Sequence, residues 1–411
     1  MRTIRFVRIL RFGRVPIVLL AVSLVLAGVS SGGAQRPAAF AAGAGTDDPR
    51  IDPVSVRGQR ARGVYVTGPF VRHHGLRGVL GLVRSTRTDA VVIDVKDGAG
   101  RVGHDTAIPE LEPQQRGFLG DARALVAALR EAGIYTIARV VCFADPQLPH
   151  RMPDRAILDA RPNRQGRPWV SWGTGGTWLN PYDRRNHDMI VALAREVEAL
   201  GFDELQLDYI RFPVDDGIRY AHFPGADDRP RWQVLRELLE RIDLAIRIPL
   251  GVDVFGLVAF DFGRTDVLGQ HVEQWTDVVE VISPMLYLHA MRNWGRGLED
   301  RSARLVHAGI SQLRGRLGAE PVIRPFLQSF PNSADNPDEQ FILDQIRGAR
   351  LGRADGYLFW HPGSNYALLR RAMQGPGRGE SAFDLGDRPR ARQARWSTRG
   401  ADAERTVARR D

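Results

Sequence analysis

Gly201-Phe-Asp-Glu-Leu-Gln-Leu-Asp-Tyr-Ile-Arg-Phe-Pro213 is the stretch from which the fold is read. It follows a segment of helical period over 184–200 and opens on glycine, the residue that most readily ends a helix in the left-handed conformation. In a strand, successive side chains alternate faces. Gln206 and Asp208 therefore share one face, and Leu205, Leu207 and Tyr209 the other. An acid among apolar neighbours at the carboxyl end of a strand is costly to bury unless a partner or a reaction uses it. Asp208 is thus the first candidate for chemistry.

The same helix–glycine–strand phrase recurs along the chain, as in Glu131-Ala-Gly133 before the apolar run at 134–143. Short strands rich in Val, Ile, Leu or aromatics are expected at 63–68, 90–97, 134–143, 204–212, 248–256, 278–287, 321–329 and 356–362. Helices are expected at 76–85, 121–132, 184–200, 231–247, 266–276, 302–317 and 338–351. Eight strands alternating with helices indicate the α/β class and a (β/α)8 TIM barrel, a single domain over 63–373. A doubly wound open sheet is the alternative, but no Gly-rich phosphate loop follows the first strand.

The ends read differently. Arg2, Arg5, Arg8, Arg11 and Arg14 precede an apolar run from Pro16 to Val29 and then small residues, so 1–34 reads as a signal peptide or an uncleaved signal anchor. No Cys follows the run, which argues against a lipoprotein. The expected location is outside the cytoplasm: secreted, periplasmic or associated with the cell envelope. Residues 35–62, rich in Ala, Gly, Arg and Pro, read as a linker. The Arg-rich tail, 374–411, reads as disordered.

The formal charge of +9 suggests nucleic acid until it is located. The first fourteen residues carry +5 and Gly375 to Asp411 carry +3, leaving +1 for 15–374. The body is nearly neutral, so nucleic acid is not an expected partner. Contact with a membrane is expected only through an uncleaved amino-terminal segment, and the protein is expected to be a monomer. The lone Cys142 has no disulfide partner and reads as a core residue. Of 57 basic residues only Lys96 is not arginine, which points to a site requiring a compact ammonium.

In such a barrel the active site lies at the carboxyl ends of the strands. Those ends offer Tyr65 and Thr67, Asp94 and Lys96 on one face, Arg139, then Asp208, Tyr209 and Arg211, Asp253, Tyr287, Gln328 and Trp360. Asp208 and Asp253, on adjacent strands, fit the two carboxylates of glycoside hydrolysis, one protonating the leaving oxygen and one attacking or activating water. Lys96 or Arg211 would keep one of them ionised while burial raises the other. Asp253 equally fits a loop cap, Asp208 an ion pair with Lys96 or Arg211, and Asp94 either a hydroxyl ligand or the partner of Lys96. Asp203 and Glu204 begin their strand and read as structural.

Tyr209, Tyr287 and Trp360 could stack on the apolar faces of sugar rings. The long loop at 144–183 brings Trp169, Trp172 and Trp178, and Tyr182 and Trp294 could extend a groove. Each aromatic taken singly is better read as core; together with the acids they favour carbohydrate. His73, His74, His289 and His361 show no metal spacing, and neither a metal nor a cofactor is expected.

Gly63-Val-Tyr-Val-Thr-Gly68, Ala90-Val-Val-Ile-Asp-Val-Lys-Asp97, Ile134-Tyr-Thr-Ile-Ala-Arg139, Asn180-Pro-Tyr182, the stretch ending at Pro213, Asp253-Val-Phe-Gly256, Ile282-Ser-Pro-Met-Leu-Tyr287 and Arg324-Pro-Phe-Leu-Gln328 occur in this order. Together they resemble a bacterial family of exported glycosyl hydrolases with a (β/α)8 barrel, distantly similar to amylase-like barrels. The resemblance implies hydrolysis of a cell-surface or extracellular polysaccharide, with catalytic acids on the fourth and fifth strands, here Asp208 and Asp253. Two positions depart from the family's pattern: Asn180 where Asp is usual, and Leu288-His289 after Tyr287 where Pro-Ser is usual. The alternative to a glycosidase is a non-catalytic carbohydrate-binding barrel at the envelope, in which the same acids hold sugar hydroxyls.

Overall fold

The computed structural model describes residues 54–374, apart from 173–175, 261–264, 292, 296 and 332–336, together with a short antiparallel pair, Leu10–Phe12 and Val15–Ile17. The targeting segment as a whole, most of the linker and the Arg-rich tail lie outside the described residues.

Eight parallel strands close on themselves: β1 (Arg62–Val66), β2 (Ala90–Lys96), β3 (Tyr135–Val141), β4 (Glu204–Asp208), β5 (Leu250–Phe255), β6 (Val281–Met285), β7 (Val322–Ile323 and Phe326–Gln328) and β8 (Tyr357–Trp360). Closure runs through Tyr357 beside Arg62 and through Val281 beside Gly251. Strand β7 is split at Arg324-Pro325, because proline offers no N–H to the ladder. No helix of the described residues is long and apolar enough to cross a membrane.

The helices α1 (Gly68–Ser85), α2 (Ala122–Glu131), α3 (Arg184–Ala199), α4 (Arg231–Asp243), α5 (Arg301–Leu317), α6 (Glu339–Leu351) and α7 (Ala367–Gln374) surround the barrel. Their limits follow from local chemistry. The Asp121 carboxylate caps α2 by accepting from Ala124 N at 2.9 Å, and Ala122, Leu125, Val126 and Leu129 face the core. Gly133, at φ 77°, turns the chain into β3. Likewise Gly201, at φ 90°, turns α3 into β4.

Three local expectations are corrected. The helix expected at 76–85 begins at Gly68, where the Thr67 hydroxyl accepts from Phe70 N, and is broken at Gly75 (φ 59°). The helix expected at 266–276 is two short turns, Thr265–Leu268 and Val272–Gln274, separated at Gly269. That glycine has φ 75°, and a Cβ there would lie 3.1 Å from the Arg231 backbone. The end of the expected linker is structural: Val56–Gln59 forms a helical turn, and Gly58 O accepts from buried Arg324 Nη1 at 2.8 Å.

Inside the barrel the side chains form layers. At the amino-terminal end Glu204 pairs with Arg324 and accepts from Tyr135 OH at 3.1 Å, while Asp203 accepts from Thr136 N and Oγ1 at 2.8 Å each. These two acids are structural, as expected. Above them Tyr65, Val92, Ile137, Phe326 and Leu358 fill the middle. Polar groups gather at the carboxyl-terminal end.

Candidate active site

Arg139 projects from β3 between two acids. Its Nη1 donates to Asp94 Oδ1 at 2.6 Å, and its Nε donates to Asp208 Oδ2 at 3.1 Å with Nη2 on the same oxygen. Asp94 Oδ2 also accepts from Tyr65 OH at 2.6 Å. Asp208 Oδ1 accepts from Tyr209 N at 2.6 Å, and Tyr209 has φ 52°, a left-handed backbone unusual for a bulky residue. One oxygen of Asp208 is thus held by a guanidinium and the other by an amide.

Asp253 sits in the opposite environment. It is buried, and its Oδ1 has no hydrogen-bond partner among the described residues. Burial, and then the neighbouring charge of Asp208, hold its carboxyl well above the usual carboxylate range; Arg139 opposes both. Register explains the neighbourhood: Gln206 lies beside Gly251 on β5, so the inward positions two residues on, Asp208 and Asp253, belong to the same layer. A carboxyl held above its usual range beside a second one fastened by a guanidinium is an arrangement suited to acid–base chemistry on a glycosidic bond.

The two acids open onto a cavity of about 310 Å³ whose lining includes Arg139, Tyr209, Arg211, Tyr287 and Trp360. Phe255, Leu257, Met285 and Met291 form its apolar side. Trp360 packs against Tyr287 with ring centroids 5.3 Å apart, against Tyr65 at 6.2 Å and against Phe330 at 5.2 Å, so the aromatic wall is one continuous cluster.

Seven expected site residues therefore meet at the cavity: Asp208, Asp253, Arg139, Tyr209, Arg211, Tyr287 and Trp360. Asp94 stands behind Arg139. Lys96 is corrected. A bulge between Asp94 and Lys96 shifts the register, so Asp94 lies beside Arg139 but Lys96 beside Val140, on the outward face. There, 1% exposed, Lys96 pairs with Asp145 at 2.9 Å and donates to Val141 O at 3.1 Å. It pairs with neither Asp94 nor Asp208; the cation on both is Arg139.

Gln328 is corrected as well. Its amide accepts from His289 N at 2.8 Å and donates to Phe330 O at 2.9 Å, so it fastens loops and is not presented to the cavity. Trp169 and Trp178 of the long third loop are buried, Trp178 beneath Tyr209 and Arg211. Tyr182 packs on Phe212 and Phe223, and Trp294 on Phe260, so neither extends the groove. Among the described residues no group of His, Cys, Asp or Glu could hold a metal ion. Phe255, Leu257 and the two methionines of the lining, and Phe330 behind Trp360, were the parts of the site missing from the sequence reading. Apolar residues near strand ends carry no signal that separates a cavity wall from core.

A closed (β/α)8 barrel with two unequal carboxyls and an aromatic wall at its carboxyl-terminal end is compatible with glycoside hydrolase chemistry. The chain belongs to the family described as "Putative glycosyl hydrolase domain", which it matches over residues 63–366. No curated protein matches it. Among solved structures, the PgaB (BpsB) glycoside hydrolase domain from Bordetella bronchiseptica shares the fold, with 12% identity and TM-score 0.57 over 76% of this chain and 99% of that one. The alpha-L-fucosidase isoenzyme 2 from Paenibacillus thiaminolyticus is similar at 16% identity and TM-score 0.50, over 76% and 48%. A hypothetical protein from Ruminiclostridium thermocellum is 28% identical over 46% of this chain and 97% of its own, with TM-score 0.41.

Proposed function

We propose that this glycosyl hydrolase domain cleaves a cell-surface or extracellular polysaccharide by a two-carboxylate mechanism. Asp208 is the ionised group, acting as nucleophile or general base, and Asp253 is the general acid. The observation that carries the reading is the contrast between them. Asp208 is held by Arg139 and the Tyr209 amide, whereas Asp253 Oδ1 is buried with no donor among the described residues.

In the reaction, protonated Asp253 donates to the glycosidic oxygen as the C–O bond breaks, and the electron pair leaves with the aglycone oxygen. Asp208 either bonds to the anomeric carbon or takes a proton from the water that does so. On losing its proton Asp253 becomes a buried anion, a form that the nearby charge of Arg139 favours, while Asp208 gives up its own charge to the anomeric carbon or to the water proton. The aromatic wall offers flat apolar surface to the C–H faces of the sugar. A polymer outside the cytoplasm as substrate is in keeping with the signal-like sequence of residues 1–34.

The test is release of reducing ends from a panel of bacterial exopolysaccharides and wall polysaccharides by wild type and Asp208→Asn. The proposal requires that wild type cleave at least one polymer and that the variant lose nearly all of that rate. Comparable rates for the two would remove Asp208 from the mechanism. Binding without cleavage across the panel would make the protein a carbohydrate-binding barrel.

A further inference from the structure

Arg211 lines the same cavity from the loop after β4 and is only 5% exposed. Its guanidinium stands 4.7 Å from the ring centres of Trp178 and Phe255 and 5.1 Å from that of Tyr209. Its one hydrogen bond is from Nη1 to Phe212 O at 3.1 Å; Nε and Nη2 have no acceptor among the described residues. No acid forms an ion pair with it there. Asp215 exerts the largest favourable electrostatic pull on it without reaching pairing distance.

Buried guanidinium groups are ordinarily paired, because removing the charge from water without a counter-ion is costly. Arg139, in the same cavity, follows that rule twice over; Arg211 does not. Three aromatic faces offset part of the cost by cation–π attraction and at the same time fix the plane of the fork. What remains is a preorganised donor pair at the wall of a sugar-sized cavity, the geometry that recognises a carboxylate in bidentate fashion.

Resting on the reading of the cavity as a glycosidase site, we propose that the sugar bound there carries a carboxylate and that Arg211 binds it, making the substrate an acidic, uronate-containing polysaccharide. The loops that follow β3 and β4 have matching chemistry. Trp172, 50% exposed, packs 5.8 Å from Tyr220, and Arg219 lies 4.5 Å from the Tyr220 ring. Arg164, Arg167 and Arg219 have no ion-pair partner among the described residues. Asp159 is buried and already accepts from Arg161 Nε at 2.9 Å. A chain of acidic sugars leaving the cavity would meet stacking surface and cationic charge on these loops.

The experiment has a binding arm and a cleavage arm. In the first, thermal shift is measured for the Asp208→Asn protein with glucuronate, galacturonate and mannuronate, each against glucose, galactose or mannose at equal concentration, with sodium chloride as the ionic control. At least one uronate should raise Tm by several degrees where its neutral counterpart does not. Arg211→Gln should abolish that shift, and Arg211→Lys should restore only part of it. Equal shifts for acid and neutral sugars, no shift with any uronate, or an undiminished shift in Arg211→Gln overturns the proposal. In the second arm, wild type is given an acidic exopolysaccharide and the same polymer with its carboxyls reduced to alcohols. Preference for the acidic form, lost in Arg211→Gln, supports the inference. Faster cleavage of the reduced polymer overturns it while leaving the glycosidase reading intact. Cleavage of neither, in a preparation that also leaves the wider polysaccharide panel untouched, counts against both.

Discussion

Arg139 bridges Asp94 and Asp208, donating to the first through Nη1 and to the second through Nε and Nη2. The strands β2, β3 and β4 thus carry one continuous carboxylate–guanidinium–carboxylate chain, closed at its far end by Tyr65 OH. The chain fixes where Asp208 points and sets a cation beside the acid pair.

Arg139→Met therefore leaves two buried carboxylates uncompensated. A loss of about 3–5 kcal/mol of stability is expected on denaturant unfolding. The activity that remains should be lower on the order of 10²–10³-fold. Because Arg139 opposes the upward shift of the Asp253 carboxyl, its removal should move the basic limb of the pH–rate profile to higher pH. An unshifted limb would detach Arg139 from the chemistry.

Asp253 links both activity and stability to pH. Its folded-state pKa is raised, first by burial and then by Asp208, so the native state holds a proton that the unfolded chain releases. Stability from this group is complete below the unfolded value, about 4, and is lost as pH rises through the raised value. Asp253→Asn removes that loss. The Tm advantage of the variant over wild type should grow with pH across this window, while hydrolysis of the natural polymer collapses. A pH-independent Tm difference would contradict the raised pKa.

Lys96 is a structural cation. It faces Asp145, which also accepts from Gln147 N at 2.8 Å and Leu148 N at 2.9 Å, and it donates to the carbonyl of the Val141–Cys142 peptide. The N–H of that same peptide donates to Asp208 O at 2.8 Å. Lys96→Met should destabilise the protein by about 3–5 kcal/mol, since Asp145 stays buried without its cation. Lys96→Arg should cost about 1–3 kcal/mol from overpacking. Unfolding curves for the two variants check both; wild-type stability in Lys96→Met would show that Asp145 needs no counter-charge.

The barrel was legible because its signals are local and repeat. Glycines such as Gly133 and Gly201 end helices where left-handed φ is needed, and eight short apolar runs follow the same grammar. The paired acids were legible too, since strand alternation puts Asp208 and Asp253 on inward faces. Lys96 was misread because alternation fails at the bulge between Asp94 and Lys96, and nothing in Asp94-Val-Lys96 marks that bulge in the sequence. The cation on Asp208 was consequently sought in Lys96 or Arg211, although Arg139 was already among the candidates. Gln328 and the buried Trp169 and Trp178 show a second limit. A polar or aromatic residue near a strand end can serve the loops above the barrel as easily as the cavity, and only tertiary contacts decide. The turns at 265–274 replaced a helix because Gly269 must pass close to α4, a contact far away in sequence.

The central claim is the split of roles between Asp208 and Asp253, and leaving-group dependence tests it most directly. On the sugar that the polysaccharide panel identifies, kcat/KM is measured for aryl glycosides with poor and good leaving groups, using wild type, Asp208→Asn and Asp253→Asn. A good leaving group departs without protonation, so Asp253→Asn should recover most of its activity on the 2,4-dinitrophenyl glycoside while staying impaired on the phenyl glycoside. Asp208→Asn should stay impaired on both. Recovery of Asp208→Asn with the activated substrate, or equal impairment of Asp253→Asn on the two, would contradict the account.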